Sequence, residues 1–399
     1  MKKILAFTTA LALLMSCQDK PKEVPTWTFG DDDTEEPADP STPDPSINDP
    51  GREALMEYTD MVLLYGGGHH RNPYHWNKEI AADYVAWNKA DGTAQWLFDS
   101  FLLLEFMDPA TAGGAGHTFI TGYQYNGSYM PSATKEDWQM LIDYYFTENA
   151  AIDAIEQAVA QAAKTMGEPP SKRKIIIGIP EPIVYQYSAT NTGSTAYWGE
   201  VDGKALDFAA VNDRIKAIKW YIDALRAKFY AKEWKYVDLA GFYWVAEKST
   251  HTSDIIGSIA SYLSGMNYTF NWIPYFKAEG YNRWSQFGFT RAYLQPNYFF
   301  STDVPYARLT EACDLALQYN MGMEVEFDGN AQAAYGRGYR LRDYMTVFKA
   351  KGIWEKCRLA YYQGAWAVRW LKNSSNAEDR QLFEEFADFV TSRPIRNQE

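Results

Sequence analysis

Cysteine is scarce in this chain of 399 residues, which has three: Cys17, Cys313 and Cys357. Cys313 and Cys357 both stand in apolar surroundings, so no disulfide framework organises the fold, and whether the two pair stays open. Histidine is scarce as well. His69, His70, His75, His117 and His251 show no H-E-x-x-H or other zinc-ligand spacing, and neither a transition-metal site nor another cofactor is expected. Basic charge is also short, with 38 Lys and Arg against 51 Asp and Glu and a net charge of -13. Beyond the first residues there is no Lys/Arg cluster to displace counterions, which argues against nucleic acid or an anionic lipid surface as a partner. A G-x-S-x-G elbow is missing, and neither Cys313 nor Cys357 sits at the end of an apolar run, so acyl transfer has no support. Gly66-Gly67-Gly68 is followed by His69-His70-Arg71 and lacks the G-x-G-x-x-G spacing of a dinucleotide turn. It reads equally as a plain turn or as a loop where backbone approaches a ligand.

What is present begins at the N-terminus. Met1-Lys2-Lys3, an apolar run from Ile4 to Met15, and then Ser16-Cys17 give the order of a secretory signal, and the run is too short to span a bilayer. Residues 18–53 are rich in Pro, Asp, Glu, Ser and Thr, with Asp31-Asp32-Asp33 and the pairs Asp39-Pro40, Asp44-Pro45 and Asp49-Pro50. Such a segment buries too little apolar surface to offset its ordering entropy and is expected to be a disordered tether. Residues 54–395 then form one domain large enough for a barrel with loop insertions.

In that domain short apolar runs alternate with longer segments of helical period. The runs are Met61 to Gly66, Phe101 to Phe106, Lys174 to Ile179, Val237 to Trp244, Thr269 to Tyr275, Gly288 to Gln295, Met321 to Phe327 and Cys357 to Tyr362. Strands separated by helices require right-handed crossovers, and eight such units predict a closed α/β fold, a single (β/α)8 barrel. Phe208, Val211, Ile215, Ile218, Ile222, Leu225 and Phe229 predict one amphipathic helix, and Trp138 through Val159 predict another, from about Asp137 to Lys164.

Active sites of such barrels lie where the strands end, so carboxylates there carry the functional argument. Glu247 follows the apolar, aromatic run of the fourth strand, where such surroundings would keep it protonated as a general acid. A carboxylate in the first turn of a helix, favourable to its dipole, is the bland alternative. In Met321-Gly322-Met323-Glu324-Val325-Glu326-Phe327, alternation sends Met, Val and Phe to one face and both glutamates toward the barrel interior. Charges there are costly unless paired or used; an ion pair of Glu326 with Arg291 is the competing reading. Glu105, Asp108 and Glu181 are weaker candidates. Aromatics make up 16% of the chain, including 14 Trp and 29 Tyr, which suits carbohydrate stacking as well as a large core.

Leu14-Met15-Ser16-Cys17 resembles the lipobox of bacterial lipoproteins, which implies a diacylated Cys17 and a lipid anchor at the outer membrane, on its surface or periplasmic face. The region from about Leu55 to Val390 resembles a family of exported bacterial proteins catalogued as a domain of unknown function, and its layout is similar to retaining glycoside hydrolases. The second resemblance implies an oligosaccharide or polysaccharide partner, Glu247 as acid/base and Glu326 as nucleophile, their carboxyls about 5 to 5.5 Å apart. It departs from that pattern where Ala246, not Asn, precedes Glu247. Glu324 would be a supporting residue, although the choice between Glu324 and Glu326 stays open. Trp244, Tyr275, Tyr298 and Tyr362 would stack on sugar rings, with Asn297 and His69 as hydroxyl partners. A glycan-binding barrel without turnover, and an adhesin or envelope-structural protein, are the rival functions.

Overall fold

The computed structural model describes residues 56–65, 76–89, 91–107, 116–125, 127–184 and 197–397. The chain divides into two units, Met1–Pro43 and Asp44–Glu399, and everything described belongs to the second. Cys17, the expected tether, His69 and Asp108 lie outside the described residues.

Eight parallel strands close a barrel: β1 (Asp60–Tyr65), β2 (Ser100–Leu104), β3 (Arg173–Ile179), β4 (Val237–Trp244), β5 (Thr269–Trp272), β6 (Arg291–Leu294), β7 (Gly322–Glu326) and β8 (Leu359–Tyr362). Each neighbour in sequence is a neighbour in space, and β8 pairs with β1. The eight apolar runs coincide with these strands to within three residues at either end. Closure excludes the open doubly wound sheet that the same alternation allows.

The outer layer is helical: α1 (Lys78–Val85), α2 (Lys135–Tyr145), α3 (Ala151–Met166), α4 (Val211–Tyr230), α5 (Ile256–Gly265), α6 (Ala307–Gln318), α7 (Gly338–Ala350), α8 (Ile353–Lys356), α9 (Ala367–Lys372) and α10 (Ala377–Thr391). Local chemistry sets several ends. Asn77 accepts from the Ile80 N–H at 2.9 Å to cap α1, and Gly352, at a φ of 74°, takes the left-handed turn after α7. The helix expected from Asp137 to Lys164 is two helices. The apolar phase runs on across the break, but Asn149, between α2 and α3, and Ala151, the first residue of α3, adopt positive φ, and Asp153 accepts from the Asn149 N–H at 2.8 Å.

Two apolar cores follow from strand alternation. Leu239, Phe242 and Trp244 of β4 face the helices together with Ile175, Ile177, Val325 and Phe348, while Ala240 and Tyr243 face the axis with Met61, Leu63, Leu104, Ile176, Tyr293 and Ala360. On β4 the sequence of inward residues is interrupted. Leu239 pairs with Ile175 and Gly241 with Ile176, which leaves Ala240 as an extra residue in a β-bulge. Gly241 fits there because any Cβ would lie 1.9 Å from the Thr269 hydroxyl oxygen.

The end of the barrel where the strands begin is closed by polar sutures. Asp60, at the start of β1, is paired with Arg393 from the C-terminal segment, both fully buried, and also accepts from the Tyr361 hydroxyl at 2.6 Å. Arg291 belongs to this end too. Its guanidinium stacks 3.8 Å from the Tyr58 ring, donates to the Met56 carbonyl at 2.6 Å and lies 3.7 Å from Glu57, so the expected alternative of an Arg291–Glu326 ion pair does not exist. Cys313 and Cys357 are free thiols.

Candidate active site

At the opposite end, the strands deliver three glutamates. Glu324 lies inside β7 and Glu326 closes it, two residues apart on the inward face, while Glu247 follows β4 by three residues. Beyond the bulge, Tyr243 and Val245 face the axis, and Glu247 continues that alternation. Glu247 also stands well before α5 begins at Ile256, so it is not a first-turn helix carboxylate.

A chain of side-chain hydrogen bonds joins the carboxylates from the two strands. Gln295, immediately after β6, donates through Nε2 to Glu247 Oε1 at 3.1 Å. Its Oε1 accepts from Asn297 Nδ2 at 3.3 Å, and the same Nδ2 donates to Glu326 Oε1 at 3.4 Å. Tyr344, reaching in from α7, donates to Glu326 Oε2 at 2.7 Å. Asn297 holds its place with a φ of 49°, a left-handed conformation that asparagine tolerates better than most residues.

Burial dominates the electrostatics. Glu324 is 0% and Glu326 1% exposed, and among the described residues no ion pair reaches either. Neither Glu324 oxygen has a hydrogen-bond partner of full geometry among those residues. Desolvation, with the charges of Glu326 and Glu247 added, raises its carboxyl far above the ordinary glutamate range, and Gln295 offsets this only in part. Burial therefore favours the neutral form of Glu324. Glu326 is pushed up to about 7 by burial, then held there by donors: the Tyr344 hydroxyl and the Asn297 and Tyr298 backbone groups favour its charged form, against the Glu247 charge. Two strand carboxyls one layer apart thus differ in how far burial is offset, because Glu326 has several donors around it and Glu324 has only Gln295.

The other expected contacts divide. Tyr275 and Tyr362 are partly exposed, and Tyr362 meets Tyr65 edge-on at 6.5 Å and Phe300 at 5.7 Å. Trp244 is not a stacking surface. It is 1% exposed, points among the helices and donates Nε1 to Thr252 at 3.3 Å. Tyr298 is likewise buried, its hydroxyl donating to Asp343 at 2.6 Å and its ring against Arg340. Glu181 is buried and accepts from the Thr121 N–H at 2.6 Å, while burial raises the phenols of Tyr144, Tyr145 and Tyr221 and the charge of Glu105, on the outward face after β2, adds to it. Gln295 and Tyr344 were not among the expected residues. Gln295 shares the alternation of Arg291 and Tyr293, a signal the sequence did contain; nothing in it marks the Tyr344 hydroxyl. Among the described residues no group of His, Cys, Asp and Glu is arranged to hold a metal ion, and no helix is long and apolar enough to cross a membrane.

Residues 60–388 match the family model described as Domain of unknown function (DUF4855). The chain belongs to the DUF4855 family. No curated protein matches it. Among solved structures, the DUF4855 barrel resembles a Bacteroides thetaiotaomicron protein described as a candidate alpha-L-fucosidase, at 12% identity over 84% of this chain and 96% of that one, with a TM-score of 0.44. It is also similar to an intracellular xylanase of Thermoanaerobacterium saccharolyticum (10% identity, 79% and 88% covered, TM-score 0.36). A third likeness is to a mutant form of the tryptophan synthase alpha-subunit of Pyrococcus furiosus (9% identity, 85% and 98% covered, TM-score 0.32). These proteins differ in chemistry on one architecture, and for the DUF4855 chain the argument from here rests on the site.

Proposed function

We propose that the barrel is a glycoside hydrolase that works with two carboxylates and retains anomeric configuration. The observation that carries this reading is the bridge Glu247–Gln295–Asn297–Glu326, which fixes acids from β4 and β7 relative to one another at the mouth of the barrel. In the first step Glu247 gives its proton to the glycosidic oxygen while ionised Glu326 attacks the anomeric carbon, forming a glycosyl ester and releasing the leaving sugar. In the second, Glu247 takes a proton from water as that water attacks the same carbon and frees Glu326. Burial of Glu324 beneath them favours its neutral form and so opposes a third negative charge in the site. Tyr275 and Tyr362 supply apolar faces for the sugar, and Asn297 supplies an amide for a hydroxyl.

The test is turnover of a panel of oligosaccharides and polysaccharides by the wild-type domain and by the Glu247→Gln and Glu326→Gln variants. Loss of turnover in both variants, with azide giving a glycosyl azide of inverted configuration in a Glu326→Gly variant and of retained configuration in a Glu247→Gly variant, supports the assignment. Binding without turnover in the wild type sinks it and leaves a glycan-binding barrel. The reading also includes export and anchoring through a lipidated Cys17, on the strength of Leu14-Met15-Ser16-Cys17 and the acidic, Pro-rich stretch that follows.

A further inference from the structure

Exposed aromatic side chains are unevenly placed on this barrel. Among the described residues they are Tyr125, Tyr129, Tyr197, Tyr306, Tyr335, Tyr339 and Trp370, and each lies between the end of a strand and the opening turns of the helix after it. That is the end of the barrel carrying Glu247 and Glu326. Single exposed aromatics need no explanation, but their confinement to one end does.

Four of them come from the loops after three adjacent strands, β6, β7 and β8, and are 40 to 64% exposed: Tyr306, Tyr335, Tyr339 and Trp370. Their backbones are braced. Arg337 donates to the Phe300 carbonyl at 2.7 Å, and Arg340 donates to the carbonyls of Thr302 and Val304 at 3.1 and 3.0 Å, tying the loop after β7 to the loop after β6. Trp370 lies over Gly329, where an added Cβ would be 2.8 Å from the indole. The brace is continuous with the site: the Arg340 guanidinium lies 4.1 Å from the Tyr298 ring, which meets Tyr344 edge-on at 5.8 Å, and Tyr344 holds Glu326.

We infer that this rim is a stacking track for a neutral polysaccharide, so that the substrate is a chain of several sugars and not a small glycoside. The inference rests on the carbohydrate reading given above and specifies its substrate class. Rigid aromatic faces match the C–H faces of successive pyranose rings without fixing hydroxyl patterns, and holding them in place beforehand lowers the entropic cost of binding. The Glu326 carboxylate at the mouth disfavours an anionic chain.

The test compares Tyr306→Ala/Tyr335→Ala with the wild type in the full chain, by kcat/KM on neutral oligosaccharides of two to eight sugars from the panel substrate that is cleaved. The same substitutions in the Glu326→Gln background are followed by affinity electrophoresis in gels containing xylan, mixed-linkage glucan, glucomannan or anionic polygalacturonate. The expected result is about a tenfold or greater fall in kcat/KM on chains of six or more sugars, through KM, with disaccharides unchanged and gel retardation by a neutral polymer lost. Equal effects at all lengths, no effect at any length, or retardation by polygalacturonate alone would overturn the track while leaving the hydrolase reading intact. Rim-dependent retardation with no turnover in the wild type would sink the hydrolase reading and keep the track. Retardation by none of the polymers, with no turnover, overturns both and leaves the aromatic rim to a protein partner.

Discussion

Tyr344 of α7 donates a 2.7 Å hydrogen bond to Glu326 at the end of β7, so a residue of the outer helical layer favours the charged form of a carboxyl that burial inside the barrel disfavours. Tyr344→Phe removes a donor that favours the carboxylate. The acid limb of kcat/KM, expected near the value of about 7 to which Glu326 is raised, should then move upward by roughly one pH unit. A pH–rate profile of the two proteins checks this; an unmoved limb separates Tyr344 from the titration.

Glu324→Gln tests the neutral acid. A carboxyl that is already protonated when folded should be replaced with kcat/KM kept within about threefold at the optimum. The sign of the stability effect follows from its direction: the folded state binds the proton that the unfolded chain has released. The wild type is thus favoured below the ordinary glutamate range and loses that contribution as pH rises through the elevated folded value. Thermal unfolding between pH 5 and 9 should therefore show a steeper decline in the wild type than in Glu324→Gln. A loss of activity as large as that of Glu326→Gln would instead make Glu324 the nucleophile.

Gln295 bridges toward both acids, and Gln295→Met keeps its volume while deleting the amide. The expected outcome is a fall in kcat of about ten- to a hundredfold with a native unfolding temperature. An unchanged kcat would show that the bridge is not needed to orient Glu247.

Asp60 and Arg393 are an ion pair buried at the far end. Arg393→Ala leaves the Asp60 charge without its closest cation and should cost about 3 to 5 kcal/mol of stability, measured by denaturant unfolding. The pH profile of any activity should stay in place, because that pair lies away from the mouth.

Cys17→Ser should move the protein from the membrane fraction to the soluble fraction of expressing bacteria and abolish metabolic labelling with palmitate. Labelling that survives the substitution would exclude Cys17 as the anchor.

The architecture was legible because eight apolar runs are long and evenly interrupted, and in a parallel barrel buried on both faces such runs are what the physics demands. The two β7 glutamates were legible for the complementary reason, since alternation left them with nowhere to point but inward. Trp244 and Glu247 stand three apart along one chain direction and so face opposite sides, which is why only Glu247 reaches the mouth. Asn297 and Gln295 extend one alternation, yet an uncharged Gln295 costs little to bury and so does not stand out in the sequence. Tyr344 fitted the apolar stripe of its helix, and a stripe reports which side is buried, not how far a hydroxyl reaches.

The extra residue at Ala240 bears on how this barrel can change. Below it, even-numbered β4 residues face the axis; above it, odd-numbered ones do. The bulge therefore acts as a reading-frame shift for side chains. Deleting one residue there would alter no residue of the mouth, yet it would send Trp244 inward and Glu247 into the helical layer. In a protein built this way, a lineage can gain or lose an acid at the strand end by a single indel, with every amino acid around it kept.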